Sequence, residues 1–351
     1  MTRKRIQDEG ITVVRLGEGP GLREDEIDGW FRIEAACAVA DDPGDPDAPA
    51  RPEPGGGRNR VAAVLRAVTG GEQLLRWLAR DAEGEPVGTA VLRLVDAEGL
   101  RDSARFQLSV HPDRRREGVG GLLLEAVREQ ARASGRSSLV ATVVAGTPAE
   151  GLLVSRGFAA GQGYRRLRLD VAGCDQDELR AVVRAASEGY HLARWQGVVP
   201  ADLSAAYARA RNAMGDTADE LDEVRAPWDE ERVRRLAERH AARGDALLTV
   251  AALCEDEQGH EAVAGFSEIV LRDGAGPVAR QSDTAVDRAH RGRGLGLWVK
   301  ASMLQWLLGA HPEVAVVETL CAETNEHMIA INERLGFRTV GQERAFRLAL
   351  D

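Results

Sequence analysis

Aromatic residues are scarce in this chain: six Trp, six Phe and three Tyr make up 4% of 351 residues, so Leu, Val and Ala must fill any core. Cysteine is scarcer. Cys37, Cys174, Cys254 and Cys321 stand far apart and form no CxxC pair, which argues against a disulfide framework or a zinc site; they read as reduced, mostly buried thiols, and no metal is expected. Long apolar runs are missing. No stretch approaches the roughly 18 residues that cross a bilayer, and the basic start Met1 to Arg5 has no hydrophobic segment behind it, so a cytoplasmic protein without membrane attachment is expected. Basic charge is in deficit, with 46 Lys and Arg against 56 Asp and Glu for a net charge of −10. That balance disfavours nucleic acid and mildly favours cationic or amine partners.

Familiar catalytic signatures are also missing. There is no G-x-x-x-x-G-K-[ST], HExxH or G-x-S-x-G, and no paired Cys and His arrangement. The glycine-rich turns that do occur lack the directly preceding strand and the acidic residue about 20 positions later that mark a dinucleotide fingerprint.

What the chain does have is length and repetition. At 351 residues it exceeds what a single core usually supports, and two domains follow as the first expectation. It repeats at an offset of about 176 to 179 residues, the kind of self-similarity to be sought before structure is assigned. Leu74–Ala79, the polar turn Asp81–Gly84 and Val87-Gly88 are matched by Leu247–Leu253, Glu255–Gly259 and Val263–Gly265. A strand ending in Val110 is matched by one ending in Val286. Each runs into an Arg- and Gly-rich turn, Arg115-Arg116-Glu117-Gly118-Val119-Gly120 or Arg291-Gly292-Arg293-Gly294-Leu295-Gly296. A helical pattern follows, Val119 to Ala133 or Leu295 to Leu308, stopping at Gly135 or Gly309. Then come a Val-rich strand, a short helix, and the pairs Gly157-Phe158 and Gly336-Phe337. The expected divisions are residues 1–172, a helical connector over 173–188, and 189–351. Asp41 to Gly57, with Pro and Gly in an acidic run, predicts an exposed loop, and Gly215 to Asp229 is its acidic counterpart.

Successive backbone amides at the mouth of a helix bind phosphate, because unpaired N–H groups and the helix dipole both favour negative charge, and glycine lets that backbone come close. One such turn is a weak signal, since a helix start can need glycine for geometry alone. Two copies in the same ordered setting are a stronger one.

Strand, Arg-x-x-Gly-x-Gly, helix, strand, short helix and Gly-Phe, found twice, resembles the GNAT superfamily of acyl-CoA N-acyltransferases. The second copy is the nearer match, through Thr284-Ala-Val286, His290 to Gly296, Lys300, and Asn325 to Phe337; with Asn212 to Asp216 and Pro227-Trp228-Asp229 it is similar to the tandem GNAT proteins of high-GC actinobacteria. The resemblance implies an α/β fold of two mixed sheets, each splayed beside its fourth strand. It implies acetyl-CoA as co-substrate, its diphosphate on Arg291, Gly292, Arg293, Gly294, Leu295 and Gly296, its thioester carbonyl near the amide of Val286 or Ala285, and its arm against Asn325. The corresponding positions of the first copy are Val110, Arg115, Arg116, Gly118, Val119 and Gly120. A primary amine, small-molecule or peptide, would attack directly in a ternary complex. Base candidates are Glu268 and Asp283; either would otherwise read as a solvated or salt-bridged strand carboxylate. His290, Cys321 and the tryptophans read as structural. Where many relatives carry a proton-donating tyrosine, four residues before the Gly of Gly-Phe, this chain has Leu153 and Asn332. Asn332 can donate a hydrogen bond but no proton at neutral pH. Gly146 stands where Asn325 would have its counterpart. The first copy therefore reads as a degenerate partner and the second as the catalyst. An acyl-CoA-binding sensor without turnover is the alternative, and either a monomer or a homodimer fits.

Overall fold

The computed structural model describes residues 5–8, 10–17, 21–41, 57–66, 72–96, 101–185, 188–212, 227–272 and 276–350. The segments 42–56 and 213–226, which hold most of the two expected acidic loops, lie outside the described residues. The described chain divides into two compact units. The first runs through Gly163 and includes the chain from Glu343 onward; the second runs from Tyr164 to Gln342.

The first unit holds β1 (Arg5–Asp8), β2 (Ile11–Arg15), α1 (Glu24–Asp41), α2 (Gly57–Arg66), β3 (Glu72–Arg80), β4 (Pro86–Val95), β5 (Ser103–Val110), α3 (Val119–Ala133), β6 (Ser138–Val144) and α4 (Pro148–Ser155). The strand β7 (Ala159–Asp170) leads into the second unit, which holds α5 (Gln176–Arg184), β8 (His191–Gln196), α6 (Ser204–Asn212), α7 (Glu230–Ala242), β9 (Ala246–Glu255), β10 (Glu261–Leu271), β11 (Val278–Val286), α8 (Leu295–Ala310), β12 (Val316–Ala322) and α9 (Glu326–Arg334). The last strand, β13 (Arg338–Ala349), leads back into the first. The fold class is the expected mixed α/β.

Strands β1 to β5 form an antiparallel series in the first unit, and β8 to β11 form one in the second. Each series ends on a short parallel pair. β5 meets β6 only over Ser103–Arg105, and β11 meets β12 only over Val278–Arg280. Beyond those three residues the strands lose their register, leaving the expected splay beside the fourth strand. Each series is then continued by a strand from elsewhere in the chain: Glu343–Ala349 of β13 pairs antiparallel with β6, and Tyr164–Asp170 of β7 pairs antiparallel with β12. Phe346 and Leu350 accordingly sit in the core of the first unit, and Leu167 and Leu169 in that of the second.

The cores follow from sequence pattern. β9 reads Ala-Leu-Leu-Thr-Val-Ala-Ala-Leu-Cys and is buried from Leu247 to Cys254, as befits a strand covered on both faces. Its even-numbered residues Leu248, Val250 and Ala252 pack with α8, and Ala251 and Leu253 pack with α6. α3 carries one apolar stripe, but α8 is buried nearly all round, from Leu295 through Leu307. Such a helix belongs inside a structure; α5 covers its far side, with Leu179 buried and Trp298 Nε1 donating to Val183 O at 3.0 Å. Among the described residues no helix is long and apolar enough to cross a membrane.

Candidate active site

The two glycine turns share one backbone. Arg115 and Arg291 are extended, Arg116 and Gly292 are left-handed at φ 69° and 78°, and Gly118 and Gly294 are left-handed at 82° and 76° as the N-caps of α3 and α8. Arg116 is the single non-glycine residue with positive φ among those described; holding an arginine there costs roughly 1 kcal/mol or more, so the turn shape is kept against local preference. Neither helix has a side-chain cap, which leaves its first amides facing outward for an anion. Arg291 Nε donates to Val286 O at 3.1 Å and Arg115 Nε to Val110 O at 3.2 Å, tying each turn to its strand. Arg115 also forms a bidentate pair with Asp41, at 2.6 and 2.7 Å.

The surroundings of the two turns differ. In the second unit a cavity of ≈ 660 Å³ runs from the turn to the splay, lined by Thr284, Ala285 and Val286 of β11, by Arg291, Gly292, Gly294, Leu295 and Gly296 of the turn, and by Asn325, Met328 and Ile331 on the α9 side. In the first unit a pocket of ≈ 230 Å³ fills the splay between β5 and β6, with Leu108, Val143 and Leu153 among its walls and no residue of the turn. β11 carries a bulge where Ser282 and Asp283 together face Glu268 of β10, whereas β4 and β5 pair without interruption from Gly88 to Leu94. A bulge adds local twist and re-aims the strand, so it helps turn the end of β11 away from β12.

Models of the GNAT acetyltransferase domain and of the GNAT acetyltransferase family match residues 73–160 and 215–337, one in each copy and together more than half the chain. The chain belongs to the GNAT superfamily, as two domains in tandem. A solved tandem GNAT protein from the clavulanic acid biosynthesis pathway is similar over 97% of this chain and 99% of its own, at 27% identity and TM-score 0.77. A GCN5-related N-acetyltransferase from Sphaerobacter thermophilus shares the fold over 98% and 97%, at 18% identity and TM-score 0.66. No curated protein matches.

Both base candidates, Glu268 of β10 and Asp283 of β11, lie on the α6 side of this strand pair, held by one buried arginine. Arg211 of α6 donates to Glu268 Oε1 at 2.7 Å and to Asp283 Oδ2 at 2.6 Å, and Tyr207 donates to the same Glu268 oxygen at 2.5 Å. Arg211, Tyr207 and Glu268 are at most 2% exposed, while the Asp283 side chain is 35% exposed. Burial works against the Arg211 charge, but Glu268, Tyr207 and Asp283 hold it above the ordinary arginine value. Burial and the neighbouring Glu268 push the Tyr207 phenol well above its usual value. The Trp228 ring covers the guanidinium at 3.9 Å, and the Asn212 side chain fixes the Trp228 backbone through two hydrogen bonds of 2.7 and 2.9 Å.

The other expected residues fall in three places. Asn325 lines the cavity and is also the N-cap of α9, its Oδ1 accepting from Met328 N at 3.1 Å. Arg293 lies outside the cavity wall, 6.0 Å from the Tyr190 ring. Asn332 is neither surface nor cap: it is 1% exposed, absent from the cavity wall, and its Oδ1 has no hydrogen-bond partner. Behind the same α8–β12–α9 junction lies Lys300, 1% exposed, with Nζ 5.5 Å from the Phe337 ring. Burial pushes its pKa down to about 7, opposed by Cys321. His290 lines the cavity mouth with Nδ1 2.8 Å from Tyr190 OH. Sequence reasoning passed over Tyr207 and Arg211. Their i, i+4 spacing on a helix facing two strand carboxylates is the signal that could have marked them.

Proposed function

We propose that the C-terminal copy is an N-acetyltransferase that uses acetyl-CoA to acylate a primary amine by direct attack in a ternary complex. The observation carrying this reading is the continuity of the ≈ 660 Å³ cavity from the uncapped, left-handed turn at Gly294 to the splayed edge of β11. The donor set fits the co-substrate. The turn at Arg291 to Gly296 offers amides and a guanidinium to a diphosphate, and the apolar walls Val286, Leu295, Met328 and Ile331 suit the pantetheine arm. Acetyl-CoA would supply the activated acyl group, and the backbone amide of Val286 or Ala285 would hold charge developing on its carbonyl oxygen.

Asp283 is the carboxylate assigned to the acceptor. It alone of the two candidates keeps an exposed edge, and Arg211 fixes its orientation. Such a carboxylate draws in an ammonium group and relays its proton to water before the neutral nitrogen attacks. Glu268, sealed between Arg211 and Tyr207, then acts by holding Arg211. Asn332 supports the α9 side and does not reach the reacting atoms. The N-terminal copy is assigned the role of a degenerate partner. Residues 1–172 and 189–351 are retained as the repeated units, with the connector 173–188 between them. A cytoplasmic monomer or homodimer is the setting assigned to the protein.

The test is release of free CoA thiol from acetyl-CoA across a panel of small amines and peptide N-termini. Amine-dependent thiol release with a matching acetylated product supports the enzyme; saturable acetyl-CoA binding with no release under any amine favours the sensor.

A further inference from the structure

We infer that Thr284 is a hydrogen-bond donor to the leaving sulfur of the thioester, aligned by a buried chain through Ser267 and Gln281; this rests on the acyltransferase reading above. Gln281 Nε2 donates to Ser267 Oγ at 2.9 Å and to the Glu268 carbonyl at 2.7 Å, and Ser267 Oγ lies 2.8 Å from Thr284 Oγ1. Both amide hydrogens of Gln281 are thereby used, which fixes the orientation of its side chain. Ser267 is fully buried and Gln281 is 3% exposed. Ser267 Oγ accepts from Gln281, and its remaining side-chain partner among the described residues is Thr284 Oγ1, so we take the buried Ser267 hydrogen to point to Thr284. The Thr284 hydroxyl is then free to donate away from the chain, and Thr284 is part of the cavity wall. A donor polarised from behind by two further hydrogen bonds is a stronger one.

The repeat supplies the contrast. Counting back from the pairs Gly265↔Val286 and Gly88↔Val110, the cross-strand pair Ser267↔Thr284 corresponds to Ala90↔Leu108, and Ile269↔Gln281 to Leu92↔Phe106. The chain of three polar groups in the second unit is three apolar ones in the first. It stands in the copy whose cavity includes the turn, and among the residues lining that cavity Thr284 is the one hydroxyl. Position 332, where a tyrosine would serve the sulfur in many relatives, is a buried asparagine away from the cavity wall.

The chemistry is modest and balanced. As the nitrogen–carbon bond forms, the carbon–sulfur bond breaks with its electron pair going to sulfur. The amine loses its proton to Asp283 or water, and Thr284 shares its hydrogen with the thiolate without surrendering it, since a neutral alcohol is too weak an acid to give it up.

The experiment compares wild type with Thr284→Val, which keeps the β-branched shape, with Thr284→Ser, which keeps the hydroxyl, and with Ser267→Ala, which breaks the chain behind it. Two quantities are read with CoA and acetyl-CoA alone: the pH at which the thiol of bound CoA ionises, followed by thiolate absorbance, and the rate of slow acetyl-CoA hydrolysis. A hydrogen bond to a charged group supports roughly a ten- to hundredfold effect. Thr284→Val should therefore raise the ionisation of bound CoA by about one pH unit or more and slow hydrolysis at least tenfold with acetyl-CoA affinity unchanged. Thr284→Ser should stay near wild type, and Ser267→Ala should fall between. Equal ionisation and equal rates in wild type, Thr284→Val and Ser267→Ala overturn the assignment while leaving the enzyme in place. Absence of CoA binding by wild type instead removes the acyltransferase reading, and this assignment with it.

Discussion

Replacing Lys300 by methionine should stabilise the second domain, by an amount that depends on pH. Lys300 is 1% exposed in the core between α8, β12 and α9, and burial pushes it from 10.5 down to about 7. The matching position on α3, six residues beyond the N-cap glycine, is the fully apolar Leu124. Each pH unit of displacement is worth about 1.4 kcal/mol, so the buried amine opposes folding by several kcal/mol. The sign follows from proton binding. Between about pH 7 and 10.5 the unfolded lysine holds a proton that the folded one does not, so stability rises with pH across this window. The penalty is complete below pH 7 and gone above about 10.5. Methionine keeps the unbranched stem and removes the charge. For a domain of this size 1 kcal/mol moves Tm by roughly 2–4 °C. Differential scanning calorimetry should therefore show the second-domain transition of Lys300→Met rising by about 5 °C or more at pH 6.5, with the gain fading by pH 10. A lower Tm, or a gain independent of pH, would refute the reasoning.

Asp283→Asn should lower kcat/KM for the amine by at least tenfold while acetyl-CoA affinity, measured by calorimetry, stays within about twofold, because Asp283 lies outside the cavity wall. An equal loss of acetyl-CoA binding would contradict its assignment to the acceptor. Truncation after Gln342 should unfold the first domain although its own repeat is intact. It removes the strand paired with β6 and the buried side chains Phe346 and Leu350, each worth roughly 1.5–3 kcal/mol of burial. Loss of one of two calorimetric transitions is the expected record, and retention of both would show that β6 does not need that partner.

The duplication, the order of elements and the turn were legible in sequence because each is written locally, in glycine positions and in hydrophobic period; the splay followed only from the resemblance to the family. The exchange of final strands was not legible. Tyr164–Asp170 and Glu343–Ala349 are equivalent in the two repeats, and nothing in either segment says which sheet edge it joins. Asn332 was legible as a residue type in a motif but not as a buried one: it lies one position past Ile331, and a step of about 100° around the helix carries it from the cavity wall into the core. The Tyr207, Arg211, Glu268 and Asp283 cluster joins a helix to two strands far apart in sequence, so the carboxylates could be named before the arginine that orients them. The Gln281, Ser267 and Thr284 chain was visible only once strand register placed Ser267 against Thr284 and its apolar counterpart, Ala90, against Leu108.

The central claim, that the second turn is the working acyl-CoA site, is tested most directly by calorimetric titration of acetyl-CoA into wild type, Gly294→Glu and Gly118→Glu. Both glycines are left-handed N-caps with open space where a Cβ would stand, so backbone strain is matched and the difference reports the ligand. Loss of binding in Gly294→Glu alone is the expected result. Binding that survives Gly294→Glu and fails in Gly118→Glu would contradict the account and move the site to the first domain.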